Sequence, residues 1–202
     1  MNFINYEGIN LKPSKVICIG RNYVEHIKEL ENSVPEQPVV FIKPNSAISD
    51  EIHLADDDIH YEGEICFLVQ HKQFLAVGFG LDLTKRDIQT KLKDKGLPWE
   101  RAKAFDGAAV FSEFKTIEGK INELRLELHI NDTVVQQGGC ELMLFKPKTI
   151  LKDISEFLTI EDNDVIMTGT PAGVGKINRG DKFTGYIYSN NKLLLKHSWL
   201  VE

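Results

Sequence analysis

The sequence predicts an α+β fold made mostly of strands. Short apolar or alternating runs, rich in β-branched and aromatic residues, recur along the whole chain. Helical spacing is confined to three segments. Strands and helices do not alternate regularly, as a doubly wound sheet would require.

The elements follow in order. Val16 to Gly20 is a compact apolar strand, and Asn22 to Glu31 reads as a short helix. Val39 to Ile42, Tyr61 to Val69 and Leu75 to Leu83 are further strands. Thr84 is placed to N-cap a second helix, with Asp87 three residues on, and Gly96 and Pro98 end it. Leu124 to Ile130 alternates, with Leu124, Leu126, Leu128 and Ile130 on one face and Arg125, Glu127 and His129 on the other. Asn131-Asp132 then supplies turn chemistry before Thr133-Val134-Val135, which predicts a hairpin. Ile150 to Leu158 has apolar residues at helical spacing. Val165 to Met167, Lys182 to Tyr188 and Leu193 to Trp199 are the remaining strands.

Composition narrows the function. The 202 residues form one predicted domain, 1–202, with no linker or repeat dividing it. A net charge of -6 argues against sequence-independent binding of nucleic acid, which requires a basic face. No apolar run approaches a membrane span, and the N-terminus lacks the basic and apolar regions of a secretion signal. Cys18, Cys66 and Cys140 are isolated; the first two sit in apolar runs and read as small core residues. A reducing, cytoplasmic setting is therefore expected.

Glu62-Gly63-Glu64 is the most informative motif. Residues i and i+2 of a strand share a face, so both carboxylates leave on one side. Two such charges repel until one takes a proton or both find a cation. Oxygen donors without sulfur or imidazole suit a hard ion such as Mg2+. Asp82 adds a carboxylate where a strand gives way to a helix. His26 and Glu29, spaced i, i+3, share a helix face, and a carboxylate beside an imidazole orients it as a general base. Arg21, Lys43, Arg86 and Lys103 are basic residues beside these segments. Taken singly, each feature is more often a solvated charge, a turn residue or a surface ion pair.

Three other motifs fail. Gly169 to Lys176 resembles a phosphate loop, but it is one residue too long, and Ile177 replaces the metal-binding hydroxyl. Gly78-Phe79-Gly80 lacks the third glycine of a dinucleotide fingerprint, and no Gly-x-Ser-x-Gly elbow is present.

In order, six segments resemble the fumarylacetoacetate hydrolase family. They are Ile19-Gly20-Arg21-Asn22-Tyr23 with His26 and Glu29; Phe41-Ile42-Lys43-Pro44; Tyr61-Glu62-Gly63-Glu64; Leu81 to Gln89; Lys95 to Trp99 with Ala102 to Asp106; and Thr168 to Gly175. The Lys-Gly-Leu-Pro-Trp segment and the short N-terminus are similar to the small acylpyruvase and oxaloacetate decarboxylase branch. The resemblance implies the mixed β-sandwich roll of that family's C-terminal domain, with a few short helices, and a homodimer. It implies Mg2+ or Mn2+ on Glu62, Glu64 and Asp82. His26 and Glu29 are then the water-activating dyad, and Lys103 the cation that steadies developing negative charge. Arg21, Lys43, Arg86 and Gln89, with Gly169 and Thr170, are then the substrate-binding set. Lys85 departs from the pattern, where alanine is commoner.

The implied activity is metal-dependent cleavage of a carbon–carbon bond in a small keto acid, by acylpyruvate hydrolysis or oxaloacetate decarboxylation. The alternative is an isomerase, hydratase or decarboxylase acting on 2-hydroxy-dienoates of aromatic catabolism. A non-catalytic metal-binding module has no need of the dyad.

Overall fold

The computed structural model describes residues 1–54 and 58–202. Its centre is an eight-stranded mixed sheet. Seven strands run across it in the order Val39–Pro44, Lys15–Gly20, Val165–Met167, Gly63–Gln70, Gln73–Asp82, Ala109–Phe111 and Ile48–Ser49, and Lys115–Thr116 pairs with Gln73–Asp82. Val165–Met167 runs parallel to Lys15–Gly20, and Ala109–Phe111 parallel to Ile48–Ser49. An antiparallel four-stranded sheet, Thr133–Gly139, Leu124–Ile130, Lys182–Ser189 and Lys192–Leu200, covers one side. The architecture is α+β, as the sequence predicts.

Side-chain alternation explains the layers. Ile65 and Phe67 join Phe79, Leu126, Leu128, Phe183 and Trp199 in the core between the sheets. Cys66 and Leu68 point the other way, into a second cluster with Val16, Cys18 and Phe114. Ile17 and Ile19 face Ile150 and Ile154 of the helix Pro147–Phe157. With both faces covered, Gly63–Gln70 is apolar almost throughout and buried up to Val69. The predicted hairpin forms with both Asn131 and Asp132 in the left-handed region, φ 49° and 66°, as a type I′ turn requires.

Three elements differ from expectation. The run expected as one strand from Tyr61 breaks at Glu62: Ile59–Tyr61 pairs with Thr84–Lys85 and Gly175–Lys176, while Gly63–Gln70 joins the large sheet. Thr84 is not a helix cap. Its backbone pairs with His60, its hydroxyl is held by Lys103 and Asp82, and the helix Arg86–Asp94 begins after Lys85. The first helix is shorter than predicted, Val24–Glu29. Asn22 stays outside it because its buried amide donates to the Phe145 and Thr168 carbonyls and accepts from Phe145 N–H.

Candidate metal centre and its cleft

The break at Glu62 and the end of strand Gln73–Asp82 meet across one strand pair. The Asp82 amide donates to the Glu62 carbonyl at 2.9 Å, and Glu64 lies opposite Gly80. Pairing therefore puts Glu62, Glu64 and Asp82 on one face, with one oxygen of each within 4.8 Å of the others, all buried. Gly63 faces the opposite side. A Cβ there would sit 3.0 Å from both the Phe79 ring and the Gln136 side chain, so a bare Cα lets the two sheets close.

Cations surround the acids unevenly. Lys103 Nζ donates to Glu62 Oε2 at 2.8 Å, Asp82 Oδ2 at 2.7 Å and Thr84 Oγ1 at 2.6 Å, which uses all three of its protons. Arg86 Nη2 donates to Glu62 Oε1 at 2.5 Å. Lys43 Nζ is ion-paired with Asp82 Oδ1 at 2.8 Å but donates its hydrogen bonds to the Leu83 and Lys103 carbonyls, and among the described residues Asp82 Oδ1 accepts no hydrogen bond. Among the described residues, the Glu64 carboxylate has only the Gly169 N–H, which donates to Oε2 at 2.7 Å.

The two glutamates consequently diverge. Burial alone would raise the Glu62 carboxyl, but Lys103, then Arg86 and His26, hold it well below the usual carboxylate range. Glu64 is pushed well up by burial and by the Asp82 and Glu62 charges. Burial works against the Lys103 ammonium, yet Asp82 and Glu62 keep its pKa above the usual lysine range.

The donor set fits a hard divalent cation. It is three buried carboxylates, one of which keeps a buried oxygen with no hydrogen bond. Lys103 shares two of those carboxylates, so a metal there would contend with it for Glu62 and Asp82. A second acidic group among the described residues, Glu51, His53 and Glu202, is exposed.

Arg21, His26, Glu62, Arg86, Gln89 and Lys103 line a cleft of about 40 Å³, room for a few waters and too small for a keto acid without side-chain movement. Glu29 stands behind His26: its Oε2 is 2.9 Å from His26 Nδ1, and its Oε1 accepts from Gly173 N–H at 3.0 Å. The other predicted residues lie elsewhere. Lys43 is fully buried behind Asp82. Gly169 supports Glu64, and φ 95° explains its glycine, since a Cβ there would crowd Asn22 and the Ile19 carbonyl. Thr170 donates to the Gly63 carbonyl at 2.9 Å and accepts from Gln136 at 2.8 Å.

Two residues were not anticipated. Gln136 is a buried clamp: its Oε1 accepts from Gly63 N–H, and its Nε2 donates to Thr170 Oγ1 and the Pro171 carbonyl, all at 2.8 Å. No local signal marks it, because its partners are more than 30 residues away. Lys93 also lines the cleft. It shares a helix face with Arg86 and Gln89, at i+7 and i+4, and that spacing was readable.

A mixed β fold carrying three buried carboxylates beside a histidine–glutamate pair has the make-up of an enzyme site. Residues 15–198 match the family described as Fumarylacetoacetate (FAA) hydrolase C-terminal, and the chain belongs to that family. It is 38% identical over 201 residues to oxaloacetate tautomerase YcgM of Escherichia coli, covering 89% of this chain and 92% of that protein. It is 34% identical over 193 residues to oxaloacetate tautomerase FAHD1, mitochondrial, of Homo sapiens, covering 86% of each. A crystal structure of a fumarylacetoacetate isomerase/hydrolase candidate from Oleispira antarctica superposes with a TM-score of 0.95 at 34% identity, covering 100% of both chains. The human relative is named mitochondrial, so kinship alone does not place this chain in the cytoplasm. Among the described residues, no helix is long and apolar enough to cross a membrane.

Proposed function

We propose that the chain is a metal-dependent enzyme that moves a proton between carbon and oxygen in a small 2-keto acid of the oxaloacetate type. The observation that carries this reading is that His26, backed by Glu29, lines the same cleft as Glu62, Arg86 and Lys103. The names of the E. coli and human relatives support the same chemistry.

Mg2+ or Mn2+ held by Glu62, Glu64 and Asp82 would supply Lewis acidity toward a keto oxygen. The chain's own side chains do the rest. Glu29, fixed by Gly173 N–H, orients the His26 ring through Nδ1 and leaves the second ring nitrogen for the proton on C3. As that proton leaves, the C3–H electron pair becomes the C2–C3 double bond, and the carbonyl π pair moves onto the C2 oxygen. Returning the proton to that oxygen gives the enol, so atoms and electrons balance. Among the described residues, Arg86 Nε is buried with no hydrogen-bond partner, a donor suited to the carboxylate on C1. The Lys103 ammonium stabilises charge developing on the C2 oxygen, a contribution of about 3 kcal/mol for a preorganised donor. That role requires Lys103 to release one of its three present partners.

The second reading is carbon–carbon bond cleavage. The same dyad favours it, because a base held at 2.9 Å by a carboxylate also suits water attack on an acylpyruvate. Oxaloacetate decarboxylation passes through the same enolate. One experiment separates the readings. The loss of enol ultraviolet absorbance from oxaloacetate is followed beside pyruvate release from oxaloacetate, acetylpyruvate and a 2-hydroxy-dienoate, with Mg2+, with EDTA and with metal alone as blank. Enol loss that outpaces pyruvate release and is abolished by EDTA is expected. Pyruvate release as fast as enol loss favours cleavage, and EDTA-insensitive turnover removes the metal from the mechanism.

A further inference from the structure

Glu62, Glu64 and Asp82 are balanced in number by Lys43, Lys103 and Arg86. The cleft wall contains two more cations, Arg21 and Lys93. Neither has a carboxylate within ion-pair distance among the described residues. Lys93 Nζ donates to the neutral Asn32 side chain, Oδ1 at 2.8 Å. Glu29, the nearby acid of the dyad, is turned to His26 and Gly173.

Lys93 follows Arg86 and Gln89 along one face of the helix Arg86–Asp94, so one helix presents three polar groups in a row to the cleft. Arg21 approaches from the other side, directly after strand Lys15–Gly20. Its backbone is left-handed, φ 55°, a conformation that costs a non-glycine residue about 1 kcal/mol. Burial, and then repulsion from Arg21 and Arg86, lowers the Lys93 pKa from the usual lysine range. Asp94 opposes this shift as the least of its causes, so Lys93 shares the cleft wall with two cations and has no carboxylate at ion-pair distance among the described residues, the character of an anion site.

We infer that Arg21 and Lys93 form the subsite for a second carboxylate, so that the cleft selects dicarboxylic keto acids over monocarboxylic ones of equal length. This rests on the reading that the cleft beside the carboxylate centre is the substrate site. The metal centre and Arg86 take the 2-keto acid end, and Arg21 and Lys93 take the far end.

The test separates binding from turnover. Succinate and butyrate, four-carbon probes that differ by one charge, are titrated calorimetrically into the protein with Mg2+. Wild type binds succinate more tightly. Lys93→Met keeps the length of the side chain without its charge; it should weaken succinate about tenfold and leave butyrate unchanged, the value of one charge-assisted hydrogen bond. Lys93→Arg should retain the preference, and thermal melting of both variants reports folding. Kinetically, Lys93→Met should raise KM for oxaloacetate about tenfold, with kcat and the acetylpyruvate KM little changed. A wild type without preference for succinate overturns the subsite, as does a Lys93→Met variant that weakens both probes equally. If the succinate preference and its loss are observed but no keto acid turns over, the subsite stands and the proposed reaction falls. If keto acids turn over but succinate is not preferred, the reaction stands and the subsite falls.

Discussion

Gly63→Ala tests whether the acid pair is built on a close approach of two sheets. A Cβ at this position would lie 3.0 Å from Phe79, 3.0 Å from Gln136 Oε1 and 3.3 Å from Leu128. Ordinary carbon contacts begin near 3.4 Å, so at least two neighbours must retreat by a few tenths of an ångström. Neither can do so freely. Phe79 packs in the core beside Trp199, with ring centroids 6.0 Å apart, and Gln136 is held by three hydrogen bonds of 2.8 Å. Overpacking of this kind costs about 1–3 kcal/mol. Losing the Gly63–Gln136 bond adds about 1 kcal/mol. At about 2–4 °C per kcal/mol for a chain of this size, Tm should fall by about 4–16 °C. Because Gly63 lies between two carboxylates, Mg2+ affinity should fall as well. Calorimetric melting and metal titration read the two effects. Gly20→Ala is the control, since its nearest neighbours would be 3.7 Å away and it should melt like wild type. A Gly63→Ala protein that melts like Gly20→Ala and binds Mg2+ normally would refute the packing argument.

Two further outcomes follow from shifted pKa values. Glu64 is raised by burial and by neighbouring carboxylates, and it must lose its proton to ligate a metal, so Mg2+ binding should release protons and strengthen as pH rises through the Glu64 pKa. Titration in two buffers of different ionisation enthalpy should give different apparent heats; identical heats would show that no proton leaves. Burial, first among the causes, raises the Cys18 and Cys66 thiols well above their usual range and lifts Cys140 to about 12. Native protein should therefore resist Ellman's reagent at neutral pH and expose all three thiols in denaturant, and a rapidly reacting native thiol would contradict this burial. The sign for stability is fixed: nothing is lost below the free-thiol value of 9.0, and stability falls above it as unfolded thiols ionise before folded ones.

The legible parts of this molecule are those with short-range physics. Period-two alternation gave the paired strands, and Asn131-Asp132 gave the hairpin. Strand parity was enough to put Glu62 and Glu64 on one face, whereas Asp82 joined them only through the family resemblance, because its place depends on how two strands pair. Thr84 was misread because a threonine before a helix resembles a cap, whereas its hydroxyl is claimed by Lys103, 19 residues away. The single strand expected through Glu62 breaks because its continuation pairs with a different sheet. Lys43 reads as a substrate ligand from its motif, yet the fold buries it behind Asp82. Gln136 was invisible because a lone glutamine in a strand acquires meaning only from the loop at Thr170 and Pro171.

The uneven sharing of charge argues that the cluster is more than a buried ion network. A network serving stability alone would pair every acid, because a buried carboxylate without a partner is strongly destabilising. Here Glu62 has Lys103 and Arg86, and Asp82 has Lys103 and Lys43, while among the described residues Glu64 has no cation at ion-pair distance and accepts from one backbone N–H. Asp82 also keeps a buried oxygen that accepts no hydrogen bond. Moving Lys103 to Glu64 would only transfer the deficit to another acid, since its three protons are already used. A divalent ion would meet both deficits at once, because it would bring charge to Glu64 and take up the Asp82 oxygen that accepts no hydrogen bond. The same addition would make the cleft more positive, with Arg21 and Lys93 already on its wall, and a cleft of that sign favours a dianion over a monoanion.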